Sequence, residues 1–301
     1  MYQQFNFSQR HQCICGDRLN PGSKKVEKFF LQGRVTFQQC GSCGTFIQAP
    51  QLDDQSLKEW YDSIAYQGGN GKRGIGYINY TSDEEQRAAE ASLRFRRDFA
   101  PYLPSSARFC EIGAASGALL AEARSHGHIP LGCDLSEKFV VAAAQHFGLR
   151  ITKCDWLSYE IEHKSLDAIV MLGTISNLAN LQQSLEKARE KLRESGFLFF
   201  NFPAADSLPA RLYGKNMWMF TPSVAQFMTR AGVNKLLAAT GFKIEHLAVD
   251  RQAPTLSKLL GHAKIGFLYP FFKKIGLSGL SPVFAVPVPG VLAVRARTYS
   301  Q

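Results

Sequence analysis

The chain has 301 residues, 45% of them hydrophobic and 20% charged, so it can bury a sizeable core in one elaborated domain or two and has the composition of a globular protein. No apolar run reaches the roughly 18 uncharged residues of a membrane span, and the opening MYQQFNFSQRHQ lacks a secretory apolar core, so a cytoplasmic protein is expected. The net charge of +10 is uneven: residues 207–301 hold 12 Lys and Arg against 2 Asp and Glu, which fits either an acidic partner (a phosphorylated substrate, an anionic lipid surface, a nucleic acid) or a solvated basic face.

Seven cysteines without an export signal argue against a disulfide framework. Cys110, Cys133 and Cys154 lie in or at the end of apolar, strand-like runs and read as small core residues. The other four bracket a hairpin. QCICGDRLNPG and FQQCGSCGTF set Cys13 and Cys15 opposite Cys40 and Cys43, a glycine follows each pair, and VEKFFLQGRVTFQQ joins them. Thiolates on two such turns can converge tetrahedrally on one zinc ion, and a lobe of about fifty residues would take much of its folding free energy from the metal. The first pair is Cys-x-Cys where ribbons have Cys-x-x-Cys, which strains chelation unless His11 or a shifted backbone compensates. A metal-free remnant and a redox pair are the alternatives. In each case residues 1–50 read as a structural or substrate-facing lobe, because a closed four-ligand site leaves no open position for catalysis.

Residues 51–105 read as a helical linker. A short amphipathic helix at SLKEWYDSIAY leads into a tyrosine-bearing stretch with glycines at 68, 69, 71, 74 and 76, either a lid or a plain connection. A capping-box pattern from Ser82 to Glu85 then opens a helix that runs to Pro101.

Residues 106–301 alternate short apolar runs (ARFCEIG, IPLGCD, RITKC, LDAIVMLG, FLFFNFP) with helical ones, the pattern of right-handed strand-helix-strand units in a parallel sheet. Ligands in such sheets sit at the carboxyl ends of the strands. At the first such end EIGAASG offers Gly113 and Gly117 for a tight turn, with Ser116 and the next amides opening a helix. Asp134, beside Leu135, ends the next strand 21 residues beyond Gly113, where a carboxylate can accept both ribose hydroxyls. Asp155 and Trp156 follow the third strand, an acid and an aromatic suited to adenine. The stretch has neither the tighter Gly-x-Gly-x-x-Gly of dinucleotide sites nor the Lys-Ser or Lys-Thr of a phosphate loop. Glu111 before the turn would repel pyrophosphate but suits an amino group and a sulfonium, which points to S-adenosylmethionine.

With these motifs the chain resembles class I S-adenosylmethionine-dependent methyltransferases, in particular bacterial ones with a cysteine-rich ribbon before the adenosylmethionine domain. The resemblance extends to LKEWYDSIAY, CDW, LRESGFLFFNFPAADSLPARLYG and LLAATGFKIEHL. It implies a Rossmann-like, doubly wound α/β sheet, mostly parallel with a reversed last strand. It also implies that Glu111 and Gly113 contact the methionine part, that Asp134 holds the ribose, and that Asp155 with Trp156 borders the adenine. Relatives modify sugars, quinones and other small acceptors. Many end their fourth strand in Leu-Glu-His-Leu, whose histidine faces the acceptor; this chain reads ISNL, with Ser176 and Asn177 in those places, and FTPSVAQFM where a second histidine-bearing segment is usual.

Methyl transfer is an in-line displacement on an activated methyl, so alignment supplies much of the rate, and a readily ionised acceptor needs little of the roughly 10²- to 10⁴-fold that a base contributes. Asn177 and Tyr80 are the candidates to orient an acceptor, with Tyr77, Asn201 and Asp206 able to line its pocket. O-methylation of a small or lipid-linked acceptor is the expected activity. The alternatives are a catalytically silent binding or scaffold protein and a nucleic-acid methyltransferase; the latter lacks here an Asn-Pro-Pro-Tyr signature and an interleaved basic and aromatic pattern. Residues 251–289 interrupt the core before the last strand, VLAVRAR. There Lys258, Lys264, Lys273 and Lys274 alternate with Leu, Phe and Tyr, as in an interfacial helix on anionic lipid, a cover for a greasy acceptor, or a packed insertion.

Overall fold

The computed structural model describes residues 4–30, 32–62, 84–253, 274 and 285–299. The glycine-rich stretch with Tyr77 and Tyr80, Ser82 of the capping box, and Lys258, Lys264 and Lys273 lie outside these residues. Among the described residues, no helix is long and apolar enough to cross a membrane.

The N-terminal strands are β1 (Phe7–Ser8), β2 (Lys25–Phe30), β3 (Gly33–Gln39), β4 (Phe46–Gln48) and β5 (Gln51–Leu52), followed by α1 (Asp54–Asp62) and α2 (Glu84–Arg94). The core then runs β6 (Arg108–Ile112), α3 (Ala118–Ser125), β7 (Ile129–Asp134), α4 (Glu137–Phe147), β8 (Thr152–Lys153), β9 (Leu166–Met171), α5 (Leu181–Lys191) and β10 (Leu192–Pro203). After it come α6 (Leu208–Tyr213), β11 (Gln226–Phe227), α7 (Arg230–Ala239), β12 (Phe242–Gln252) and β13 (Val286–Thr298). A seven-stranded mixed sheet has the order β12-β13-β10-β9-β6-β7-β8 and is parallel except for the reversed last strand, β13, as expected. Every residue of β9 is buried, the mark of a parallel strand covered on both faces. The expected helix to Pro101 is α-helical only as far as Arg94. A wider π turn at Phe95–Phe99 follows, and it lets both phenylalanines reach Phe109, at ring distances of 5.7 and 5.3 Å.

By internal contacts the chain forms two units, residues 1–59, 155–250 and 289–301 in the first and 60–154 and 251–288 in the second. In the first, the ribbon hairpin of β2 and β3 extends into a four-stranded sheet, β11-β4-β3-β2, whose edge strand β11 comes from far along the chain. Val26, Val35 and Phe37 of the hairpin and Phe46 of β4 share one buried cluster with Met217, Met219, Phe220, Val224 and Phe227. The ribbon therefore does not rely on its own small core, as its length alone would require. In the second unit, β6, β7 and β8 run parallel in register, Glu111 opposite Gly132 and Ile112 opposite Cys133, with α3 and α4 as crossovers.

Candidate functional site

In the second unit the carboxyl ends of β6 and β7 build one polar constellation. The backbone N–H groups of Gly113 and Ala114 both donate to Cys133 O, at 2.9 and 3.1 Å, which folds the glycine turn against β7. Gly117, the residue before α3, has φ +80, and a Cβ there would lie 3.0 Å from Leu149 Cδ1 and 3.1 Å from Ile151 Cδ1. Both the left-handed backbone and the lack of space demand glycine. Ser116 is buried beside it and Leu135 is half-buried after β7. Asp134 braces the turn: its Oδ2 accepts from Ala115 N at 2.8 Å and its Oδ1 from Ser136 N at 2.9 Å.

Glu111 is only 6% exposed, and its Oε2 has no hydrogen-bond partner among the described residues. Burial first, and then the nearby Asp134 charge, push its carboxyl well above the usual carboxylate range, while Arg94 pulls the other way. A carboxylate left in this state lacks a donor, and a ligand ammonium would provide one with the right charge. Arg94 itself is buried, its Nη1 lying 3.5 Å from Asp98 Oδ2 and its Nη2 donating to Arg251 O at 3.2 Å. In the sequence it reads as one more charged residue of a surface helix, and nothing there marks it as a partner of Glu111.

In the first unit, Asp155 is exposed and caps the short turn Trp156–Ser158, its Oδ1 accepting from Leu157 N at 2.8 Å. Trp156 is 2% exposed; its Nε1 donates to Ser184 O at 2.9 Å and Lys187 Nζ lies 4.8 Å from the ring centre. What Trp156 offers to its surroundings is backbone more than an open ring face. The turn after β9, Ile175–Asn177, is held from the ribbon side. Buried Gln226 donates through Nε2 to Ile175 O and Leu178 O, at 3.1 and 2.9 Å, and accepts at Oε1 from Arg10 Nη1 at 3.1 Å. Burial lowers the Arg10 guanidinium to about 10. Asn177 Nδ2 donates to Gly173 O at 3.4 Å, and Asn177 lines a shallow cleft with Gln48, Gln51, Pro222 and Ser223. Asn201 is buried as a strut, donating to Asp250 Oδ2 and accepting from Gly173 N. Asp206 pairs with Arg230 at 3.4 Å. Nothing in the sequence marks Arg10, one of a run of polar residues, and Gln226 stands out only as a polar residue in an apolar segment.

The four ribbon cysteines do converge. Their Sγ atoms all lie within 4.8 Å of one another, with Cys13 to Cys43 at 3.5 Å and Cys15 to Cys40 at 3.7 Å. Tetrahedral coordination at Zn–S of about 2.3 Å requires S···S of about 3.8 Å, so the donor set fits zinc without rearrangement. His11 is not a member of the cluster. The thiols share charge unequally: the Cys13 thiol holds Cys43 down to about 4, while Cys13 is raised and burial pushes Cys15 up to about 12. Only a cation would let all four ionise. From α7, the Thr229 hydroxyl donates to Cys43 O at 2.6 Å and accepts from Gly232 N at 3.1 Å, tying the second cysteine turn to the helix start.

A family profile described as a methyltransferase domain matches residues 82–247. No curated protein matches the chain. Among solved structures, a SAM-dependent methyltransferase from Thermotoga maritima is 19% identical, covers 81% of this chain and 100% of its own, and superposes with a TM-score of 0.50. One from Archaeoglobus fulgidus is 20% identical, covers 73% and 99%, and also scores 0.50. A chain from the complex between the Haloferax volcanii Trm112 methyltransferase activator and a methyltransferase is 12% identical, covers 82% and 99%, and scores 0.53. At these identities the likeness is one of fold.

Proposed function

The chain belongs to the methyltransferase-domain family, and from that premise we propose that it moves the methyl group of S-adenosylmethionine to an oxygen of a small or lipid-linked acceptor. The observation that carries this reading is Glu111, a buried carboxylate with an unpartnered oxygen beside the glycine turn. The ammonium of a methionine moiety would complete it, whereas a polyphosphate would add repulsion. Gly113, Ser116 and Gly117 shape the turn around that moiety. Asp134, held in place by two backbone donors, accepts from the ribose hydroxyls, with Leu135 alongside. Asp155 and Trp156 border the adenine.

The cosubstrate supplies a sulfonium-activated methyl, so the protein's share of the chemistry is alignment and exclusion of water. Asn177 and Tyr80 orient the acceptor hydroxyl. Neither side chain is a base near neutral pH, which favours an acceptor that ionises by itself, such as a phenol or carboxylate. The four thiolates of Cys13, Cys15, Cys40 and Cys43 hold a structural zinc. Residues 1–50 form the ribbon-like lobe, 51–105 the linker and lid, and 106–301 the methyltransferase domain with its insertion at 251–289.

A catalytically silent protein is the second reading. The observation that favours it is the turn Ile175–Asn177, which carries no ionisable side chain. Titration calorimetry with S-adenosylmethionine on the whole chain and on Asp134→Ala, followed by mass spectrometry of products from a panel of phenols and carboxylates, separates the cases. Binding that Asp134→Ala weakens at least tenfold, with a methylated product, supports the enzyme. Binding without any product supports the silent reading, and absence of binding removes both.

A further inference from the structure

The stretch between β10 and β11 turns one side into the protein and leaves the other in solvent. Ala210, Met217, Met219 and Phe220 enter the buried cluster around Phe37. From the same stretch Leu208 is 69% exposed, Leu212 76%, Tyr213 63% and Trp218 60%. Leu208, Arg211 and Leu212 follow one another at helical spacing along α6, so they share a face; Gly214, with φ +50, ends the helix, and Lys215 follows in the exposed turn Gly214–Asn216. Large apolar side chains gathered on one exposed segment mark a contact surface, in contrast to the single exposed leucines of any protein.

The charges identify the partner. Arg211 and Lys215 are exposed, and neither forms an ion pair among the described residues. Residues 207–244 contain five Lys and Arg and no Asp or Glu. Tryptophan and tyrosine beside leucine, with arginine and lysine exposed in the same short segment, suit a lipid-water boundary: rings settle at headgroup depth and cations meet lipid phosphates. A second copy is a poor occupant, because a two-fold contact would bring Arg211 and Lys215 against their own equivalents, and one short helix offers little area for a stable dimer.

We propose that the surface formed by Leu208, Leu212, Tyr213 and Trp218 with Arg211 and Lys215 docks the protein on an anionic lipid bilayer. The docking is independent of the acceptor's identity. Trp218 is a built-in reporter, since Trp60 and Trp156 are both 2% exposed. The full chain is incubated at low salt with phosphatidylcholine vesicles, with and without phosphatidylglycerol. Expected are co-sedimentation about tenfold stronger with phosphatidylglycerol, a blue shift of tryptophan emission, and quenching by brominated lipid. Leu212→Ser and the double variant Arg211→Gln with Lys215→Gln should each weaken partition about tenfold while leaving the thermal melt unchanged, as all three residues are exposed. The proposal is overturned if the vesicles do not retain the protein, if these variants partition like the parent, or if the emission does not move on binding. A dimer in sedimentation velocity that Leu212→Ser dissolves would assign the surface to a second copy and overturn it equally.

Discussion

Glu111→Gln separates a carboxylate placed for a ligand from one that merely packs. Glutamine keeps the size and both polar atoms but removes the charge. In the free protein Glu111 is buried with an oxygen unpartnered, and its carboxyl stands above the ordinary carboxylate range. A raised carboxyl contributes its full share to stability below the unfolded value of 4.5 and loses it as pH rises through the folded one. Relative to the parent, Glu111→Gln should therefore gain nothing in acid and about 1–3 kcal/mol at neutral to alkaline pH, the usual cost of a buried unsatisfied group. For a chain of this size that is a rise in Tm of about 2–6 °C. Binding should respond in the opposite sense. Removing one partner of a buried charge pair costs about 3 kcal/mol, a loss of affinity on the order of 100-fold. Differential scanning fluorimetry across pH, with and without S-adenosylmethionine, and calorimetry read both effects. A variant that melts below the parent at every pH and binds the cosubstrate equally well would refute the reasoning.

The remaining tests address the turn and the cysteine centre. Gly117→Ala must place a Cβ on left-handed backbone within 3.0 Å of Leu149, so a loss of about 1–3 kcal/mol in chemical denaturation, with weaker cosubstrate binding, is expected; a neutral effect would mean that the turn is plastic. Elemental analysis should find one zinc per chain. Stripping the metal should raise hydrogen exchange in β2 and β3 while β6, β9 and β10 keep their protection, because the sheets are separate; a metal-free protein with a protected ribbon would end the zinc assignment. Thr229→Val removes the cap of α7 and the bond to Cys43 O, so it should cost about 1–2 kcal/mol and speed zinc release to a chelator. Unchanged release would show that the helix does not hold the cysteine turn.

Strand and helix alternation, the glycine turn, the acid at the end of β7 and the paired cysteines were all legible in the sequence. Each depends on local spacing: the period of apolar residues, a backbone angle open to glycine, thiols on adjacent turns. The boundaries of β6, β7 and β9 follow for the same reason. Partnerships between distant residues depend instead on which segments fold together. Arg94 sits on a helix whose polar pattern predicts solvent, yet tertiary packing buries it beside Glu111. Trp156 reads in the sequence as an aromatic after β8, and only the fold shows its indole bonded to Ser184 and flanked by Lys187 of α5. The ribbon reads as a lobe that takes much of its folding free energy from a metal, but Phe227 and its neighbours complete its core and β11 its sheet. Gln226 gains meaning only when Arg10 and the turn after β9 meet around it. The sequence by itself determined the elements and the glycine turn, because those follow from each residue's near neighbours. Tertiary structure decided which polar groups are buried and which are left unpartnered, because desolvation is set by everything that surrounds a side chain in space.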